Sequence, residues 1–138
     1  MTYPSYMLDT NIASYIARDD KPAIRARMRS LVPGHICFSV LTKAELLHGL
    51  SRKPQATRLQ ENIFILLSKF DALAWDDAAA VAYATLRATL ERRGKTIGII
   101  DMLIAAHALS INAVLVTNDR DFRHVEGLTT EDWTLPPI

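Results

Sequence analysis

Four acidic residues of this 138-residue chain each follow or open an apolar segment: Asp9, Glu45, Asp101 and Asp119. We therefore expect each of them near an edge of the hydrophobic core. Four carboxylates brought together by folding repel one another strongly unless a cation lies among them. A carboxylate cage around Mg²⁺ or Mn²⁺ is a device for phosphoryl chemistry. The sequence therefore suggests a metal-dependent reaction on a phosphate ester, provided that the fold gathers these four residues.

The elements that must gather these acids are predicted from the spacing of apolar residues. Apolar runs predict strands at residues 5–9, 35–39, 72–75, 113–117 and 128–130. Helical spacing predicts helices at residues 10–18, 22–31, 54–69, 77–93 and 100–110, with one more helix around Glu45. This alternation indicates a single α/β domain over residues 1–138, with a mostly parallel central sheet flanked by helices. Ligands of such sheets bind at the carboxyl ends of the strands, and Asp9 and Asp119 directly follow two of these strands.

Each acid also has a purely structural alternative when it is considered alone. Asp9 can cap a helix, and Glu45 can lie exposed on an amphipathic surface. Asp101 has apolar neighbours on both sides, where a buried charge demands a partner or a metal, but it can also cap a helix that begins one residue later. Because that helix precedes a strand, its start could fall at either edge of the sheet. Asp119 lies among ordinary turn-forming residues, with Asp121 as a competing acid.

The composition is that of an ordinary globular protein. Apolar residues make up 49% and the formal net charge is +1, so we expect neither disorder nor a global basic field. The single cysteine, Cys37, excludes an intrachain disulfide and is interpreted as a buried strand residue, and His107 is interpreted as a core or interface histidine. No secretory signal or membrane-spanning apolar stretch is visible, so we expect a cytoplasmic protein with no membrane contact.

Three short strings occur along the chain in a specific order: MLDTN at residues 7–11, IGIIDMLIAAHA at residues 97–108 and TNDRDF at residues 117–122. Together with a helical Glu after a Phe-Ser strand, they resemble the PIN-domain ribonucleases. Within that family, the chain resembles the VapC toxins of bacterial type II toxin–antitoxin systems, over residues 7–133. The resemblance implies one PIN domain with a five-stranded parallel sheet and acids that converge at one edge, which also gives the position of Asp101.

The roles of individual residues follow from this resemblance, motif by motif. The positions that match the family's catalytic acids are Asp9, Glu45, Asp101 and Asp119. The polar positions that support these acids match Thr10, Asn11, Thr117 and Asn118. The resemblance implies that Asp9 and Asp101 are the main ligands of Mg²⁺, for which Mn²⁺ can substitute. The fourth acid is the most variable in the family, so the role of Asp119 rests on the least specific match.

The resemblance also implies an activity and partners. It implies a Mg²⁺-dependent endoribonuclease toxin that hydrolyses tRNA, initiator tRNA in particular, and thereby arrests growth. It further implies a VapB-type antitoxin and a homodimer within a toxin–antitoxin hetero-oligomer. An RNA substrate needs a basic path to an acidic site. Two basic clusters offer candidate phosphate contacts, and the residues chosen from them are Arg25, Arg29, Arg92 and Arg93. The alternative for both clusters is a solvated helix face.

Two other classes of protein compete with a nuclease. A haloacid-dehalogenase-like phosphatase also begins with an Asp after a buried strand, but its chemistry needs a second Asp two positions on, where this chain has Asn11. A non-catalytic interaction domain would use the apolar helix around residues 63–70 or the alanine-rich segment 78–88. Retained activity of Asp9→Asn, at wild-type fold and stability, would contradict the nuclease and favour the interaction domain.

Overall fold

A computed structural model of the chain describes residues 5–136, in which strands and helices alternate. The strands are β1 (Tyr6–Leu8), β2 (Ile36–Ser39), β3 (Asp71–Leu73), β4 (Val114–Val116) and β5 (Thr130–Glu131). The α-helices are α1 (Thr10–Arg18), α2 (Pro22–Arg29), α3 (Val40–Ser51), α4 (Thr57–Lys69), α5 (Asp77–Arg92) and α6 (Ile99–Ser110). Short 3₁₀-helices lie at Pro33–His35 and Arg120–His124. Across the described range, no helix combines the length and the apolar character needed to cross a membrane.

The strands form one sheet in the order β3-β2-β1-β4-β5, and every neighbouring pair is parallel. The prediction of an α/β fold with a five-stranded, mostly parallel sheet flanked by helices is therefore confirmed. Strand β1 is central, and its Met7 pairs with Cys37 of β2 and Leu115 of β4. Because the strands are parallel, the residues that directly follow β1, β2 and β4 lie along a single carboxyl edge of the sheet.

The sheet divides the core into two layers because successive side chains of a strand point to opposite faces. Met7 and Leu115 are buried on one face, where they pack with residues of α5 and α6. Leu8 and Val116 are buried on the other face, with residues of α1, α2, α3 and α4. Helices on both faces therefore bury most of the central strands, which explains why these strands are uninterrupted apolar runs in the sequence.

Several element boundaries differ from the predicted ones. Helix α4 begins at Thr57 rather than at residue 54, because residues 54–55 form a turn first. Strand β3 ends at Leu73, so Trp75 leaves the sheet, and its indole N–H donates to the carbonyl of Leu103 at 2.9 Å. Strand β5 is also shifted towards the C-terminus of its predicted range. These changes occur at the ends of elements and leave the order of strands and helices as predicted.

Two interpretations of single residues concern burial, and both are confirmed. Cys37 is 0% exposed and His107 is 2% exposed. Burial, with a smaller contribution from the charge of Asp71, raises the pKa of the Cys37 thiol to about 12, so this thiol remains protonated at neutral pH. Burial lowers the pKa of His107, so its ring is neutral at that pH.

Candidate active site

Asp9 lies at the junction between β1 and α1, on the carboxyl edge of the sheet. It is the N-cap of α1, and its Oδ1 accepts a hydrogen bond from the backbone N–H of Ile12 at 2.9 Å. Asp9 is only 5% exposed, so its carboxylate is held at a rigid and largely buried position. The capping role considered as an alternative is therefore real. Because it occupies one carboxylate oxygen, it does not exclude a second role for the same side chain.

The pKa of Asp9 is shifted by burial and by neighbouring residues. Burial raises the pKa of its carboxyl from 3.8 to about 6. Hydrogen bonds from the Thr117 side chain and from the Ile12 backbone oppose this rise, whereas the charges of Asp101 and Asp119 add to it. Asp101 and Asp119 come from distant parts of the sequence. Their effect on Asp9 means that the fold brings the first, third and fourth predicted acids together.

Asp101 is the third residue of α6, whose N-cap is Gly98. The alternative in which Asp101 caps a helix that begins one residue later is therefore wrong. Burial raises the pKa of the Asp101 carboxyl, and the charges of Asp119, Glu45 and Asp121 raise it further, in that order. The charges that act on Asp9 and Asp101 come from the other predicted acids, so all four lie in one region of the fold. Asp121, the competing acid, is a fifth carboxylate whose charge acts on Asp101.

Glu45 lies in the second turn of α3 and is half-buried. Its Oε1 accepts a hydrogen bond from the hydroxyl of Thr10, which also lies 3.2 Å from the hydroxyl of buried Thr42. Thr10 is the first residue of α1, directly after Asp9, so this bond ties the second acid to the first. The alternative of a freely exposed Glu45 is therefore wrong. Asn11, in contrast, is exposed and its side chain forms no hydrogen bond within the described chain.

Asp119 follows β4 and caps the 3₁₀-helix that comes next, because its Oδ1 accepts from the backbone N–H of Asp121 at 2.9 Å. The backbone N–H of Asp119 donates to Oγ1 of Thr117 at 3.0 Å. The side-chain amide of Asn118 donates to the hydroxyl of Tyr15 at 3.4 Å. Two of the predicted supporting residues therefore make hydrogen bonds that fix the segment carrying the fourth acid.

A buried hydrogen bond that sequence reasoning missed connects two of the helices at this site. Ser39, which is 0% exposed, is the N-cap of α3, and its Oγ accepts from the backbone N–H of Leu41 at 3.1 Å. The same Oγ lies 2.9 Å from Nδ1 of His107 on α6. Helix α3 carries Glu45 and helix α6 carries Asp101, so this contact holds the two acid-bearing helices together. Its only signal in the sequence was a histidine between the apolar residues Ala106 and Ala108.

Removal of the Ser39 hydroxyl is therefore expected to destabilise the protein. Ser39→Ala loses a helix cap and leaves Nδ1 of His107 without its partner, which together should cost about 1–3 kcal/mol of unfolding free energy. Urea denaturation would measure the loss. The matched control is Ser51→Ala, at the exposed C-terminal end of the same helix, where Ser51 Oγ donates to the carbonyl of His48 at 2.6 Å. Equal stability of the two variants would show that the buried contact contributes little.

The arginines predicted to contact RNA lie on, or directly after, two different helices. Arg25 and Arg29 belong to α2, Arg92 ends α5 and Arg93 follows it. Nη2 of Arg25 is ion-paired with Asp19 at 2.7 Å, and Nη1 of Arg93 donates to the carbonyl of His124 at 3.1 Å. Neither of these two guanidinium groups is bonded to a site acid. Contact between RNA and the four arginines stays a prediction.

The acids lie in one region, but their side chains are not arranged as ligands around a single position. Among residues 5–136, no three side chains of His, Cys, Asp or Glu stand in an arrangement that could hold a metal ion. The side chains would therefore have to rotate to bring three carboxylate oxygens together. The donors at this edge of the sheet are carboxylates: the charges of Asp101 and Asp119 raise the pKa of Asp9, and those of Asp119, Glu45 and Asp121 raise the pKa of Asp101. Such an all-oxygen, anionic set of donors fits Mg²⁺ or Mn²⁺, and it is suited to chemistry on a phosphate ester.

Comparison with known proteins identifies the class to which this fold and this acidic edge belong. Residues 6–128 match the PIN domain, and the chain belongs to the PIN-domain family. The chain is 38% identical to the tRNA(fMet)-specific endonuclease VapC of Shigella flexneri, over 94% of this chain and 98% of the relative. It is 34% identical to Ribonuclease VapC2 of Rickettsia felis, over 93% of this chain and 97% of the relative.

A solved structure agrees with this relationship. The crystal structure of VapBC2 from Rickettsia felis bound to a DNA fragment from their promoter matches with a TM-score of 0.85 and 33% identity, over 93% of this chain and 98% of that chain. The chain is therefore a VapC-type PIN-domain ribonuclease toxin. The predicted family and the predicted class of enzyme are both confirmed.

Proposed function

We propose that this chain is a Mg²⁺-dependent endoribonuclease that hydrolyses tRNA, initiator tRNA in particular, and is neutralised by a VapB-type antitoxin. The observation that carries the catalytic part is the effect of neighbouring acids on the pKa values of Asp9 and Asp101. Asp101 and Asp119 raise the pKa of Asp9, and Asp119 and Glu45 raise the pKa of Asp101. Carboxylates close enough to affect one another in this way favour a divalent cation among them.

In this proposal Asp9 and Asp101 hold Mg²⁺, and Mn²⁺ can take its place. Glu45 and Asp119 complete the set of ligands or orient the attacking water. When bound, the cation offsets the negative charge of the phosphorane-like transition state and increases the acidity of water. Thr10 keeps the carboxylate of Glu45 in position through its hydrogen bond. The expected products carry a 5′-phosphate and a 3′-hydroxyl.

The proposed substrate rests on the name of the Shigella flexneri relative, which is a tRNA(fMet)-specific endonuclease. The test is single-turnover cleavage of initiator tRNA and elongator methionine tRNA by the purified chain, in Mg²⁺ and in EDTA, with both ends of each product mapped. We expect one cut in the initiator tRNA, in Mg²⁺ only. Equal cleavage of the elongator tRNA would contradict the specificity, and equal cleavage in EDTA would contradict the metal dependence.

The proposed antitoxin partner has a candidate docking groove. A cavity of about 520 Å³ lies between α1, α2 and the end of α4. Its apolar lining includes Ile24, Met28 and Phe70. Its charged lining comprises Lys21, Arg25, Arg29, Lys69 and one acid, Asp19, so that the cations outnumber the anion. Such a groove fits an apolar peptide segment that carries acidic residues. The groove also offers Arg25 and Arg29 a role in binding protein instead of RNA.

Expression of the chain alone is expected to arrest bacterial growth, and co-expression with an adjacent small open reading frame is expected to relieve the arrest. Lys69→Glu places a negative charge in the groove and should weaken the relief without changing the toxicity. Colony counts after induction measure both effects, with Asp101→Asn as the non-toxic control. Unimpeded growth with abundant soluble toxin would contradict the proposal.

We also propose a homodimer within the toxin–antitoxin hetero-oligomer. A monomeric mass of the toxin in light scattering would contradict this proposal.

A further inference from the structure

The 3₁₀-helix Arg120–His124 presents two arginines on one face. A 3₁₀-helix has three residues per turn, so side chains at positions i and i+3 lie above one another. Arg120 and Arg123 are such a pair, and both are exposed. Within residues 5–136, neither guanidinium group forms a hydrogen bond, an ion pair or a cation–π contact. Two like charges are therefore held next to each other without an internal counter-ion.

The two arginines line the same concavity as the fourth acid, Asp119. This concavity has a volume of about 250 Å³, and its lining residues are Thr117, Asn118, Asp119, Arg120, Arg123, Thr130 and Asp132. It therefore begins at the proposed catalytic edge and extends along the side of β4 and β5. A chain that passes from the acids into this concavity would meet both guanidinium groups.

The acids in this concavity do not neutralise the two arginines. Oδ1 of Asp119 accepts from the backbone N–H of Asp121 at 2.9 Å, and the charge of Asp119 acts on Asp9 and Asp101. Oδ1 of Asp132 accepts from the backbone N–H of Thr134 at 2.8 Å. Each carboxylate is thus bonded within its own segment. The two guanidinium groups remain available to an anion from outside.

The helix that carries the pair is anchored to the rest of the fold. Nη1 of Arg93 donates to the carbonyl of His124 at 3.1 Å, and Phe122 is buried with 2% exposure. The N-terminal end is capped by Asp119. Arg120 and Arg123 are therefore presented from a fixed helix, and Arg93 helps to position that helix.

We propose that Arg120 and Arg123 form a clamp for a backbone phosphate of the RNA, next to the phosphate that is cleaved. The planar guanidinium group donates paired hydrogen bonds to phosphate oxygens, which suits this ligand better than a single point charge. The clamp lies beside the acids, so it holds the RNA strand without touching the reacting atoms. This inference rests on the proposed ribonuclease function and adds a binding site to it.

Binding of initiator tRNA to the double variant Arg120→Gln/Arg123→Gln tests the clamp. Both this variant and its parent carry Asp101→Asn, which prevents cleavage, and fluorescence anisotropy is measured at several salt concentrations. Each lost phosphate contact should weaken binding about tenfold and lower the slope of log affinity against log salt by about one. Arg58→Gln is the matched control, because Arg58 is exposed on α4 and forms no hydrogen bond or ion pair within the described residues.

Separate outcomes distinguish a failed clamp from a failed function. In a cleavage-competent background, the double variant should raise KM while kcat at saturating RNA stays within a few-fold of wild type. If wild type cleaves RNA and the double variant matches Arg58→Gln in affinity and salt slope, the clamp is refuted and the function stands. If the double variant binds RNA normally but escapes the antitoxin, the pair binds an acidic peptide and the clamp is likewise refuted. Absence of cleavage by folded wild type refutes the proposed function itself.

Discussion

Asp101→Asn will lower the rate of RNA cleavage by about a thousandfold or more without unfolding the protein. Asp101 is one of the two proposed main ligands of the cation, and a bound cation contributes several kcal/mol to a transition state of this kind. Asn has the same shape but only one good ligand oxygen and no charge. Single-turnover cleavage of tRNA by the purified variant measures the effect, with circular dichroism as the check on folding.

Asp77→Asn is the matched control for this substitution. Asp77 is also an acid in the first turn of a helix, but it is exposed and acts on none of the site acids. The control should cleave at the wild-type rate. Cleavage by folded Asp101→Asn within tenfold of wild type would contradict the assignment of Asp101 and would favour an active site elsewhere in the chain.

Asp9→Asn will increase the unfolding free energy of the metal-free protein at pH 8. Burial and the neighbouring acids raise the pKa of Asp9 from 3.8 to about 6 in the folded chain. Because the folded state then binds the proton more tightly than the unfolded state, stability falls as the pH rises through this window and the loss is complete above it. The shift corresponds to a cost on the order of 3 kcal/mol. Asn removes this cost and can still accept the hydrogen bond from Ile12.

Urea denaturation in EDTA between pH 4 and pH 8 measures this difference. The advantage of Asp9→Asn over wild type should grow from about pH 4 to pH 6 and then level off. Asp9→Ala also removes the charge, but it loses the cap of α1, which costs about 1 kcal/mol. The unfolding free energy of Asp9→Ala at pH 8 should therefore exceed that of wild type by less than that of Asp9→Asn does. A pH-independent difference between wild type and Asp9→Asn would contradict the raised pKa of Asp9.

Much of the fold was predictable because the central strands are buried on both faces. Residues such as Met7, Leu8, Leu115 and Val116 form uninterrupted apolar runs, and the acid that follows each run lies at a strand end by necessity. The boundaries of α4 and β3 were less predictable. They depend on a local turn and on a tertiary hydrogen bond from Trp75, and neither is visible in apolar spacing.

The site itself was only partly predictable from spacing. Asp9 and Asp119 directly follow strands, so their convergence follows from a parallel sheet. The position of Asp101 does not follow from a parallel sheet, because the start of a helix that precedes a strand can fall at either edge. The family resemblance was needed to place it. The Ser39–His107 contact depends on the packing of two helices. The pairing of Arg120 with Arg123 depends on a 3₁₀-helix in a segment that the sequence indicated only as a turn.

Binding of Mg²⁺ connects the loss of activity expected for Asp101→Asn with the gain in stability expected for Asp9→Asn. Mg²⁺ added to wild type at pH 8 should offset the repulsion among the acids and raise the thermal midpoint, because a ligand that binds only the folded state stabilises it. The midpoint of Asp9→Asn should respond much less. Ionised carboxylates that are unfavourable in the metal-free protein are thus the same groups that make cation binding favourable.

Direct measurement of Mn²⁺ binding tests the central claim that the acids form one metal site. Electron paramagnetic resonance of free Mn²⁺, titrated with the purified toxin at pH 8, reports how much of the ion is bound. We predict that wild type binds Mn²⁺, that Mg²⁺ competes for it, and that the double variant Asp9→Asn/Asp101→Asn leaves the ion free. Binding by the double variant as tight as that of wild type would contradict the claim.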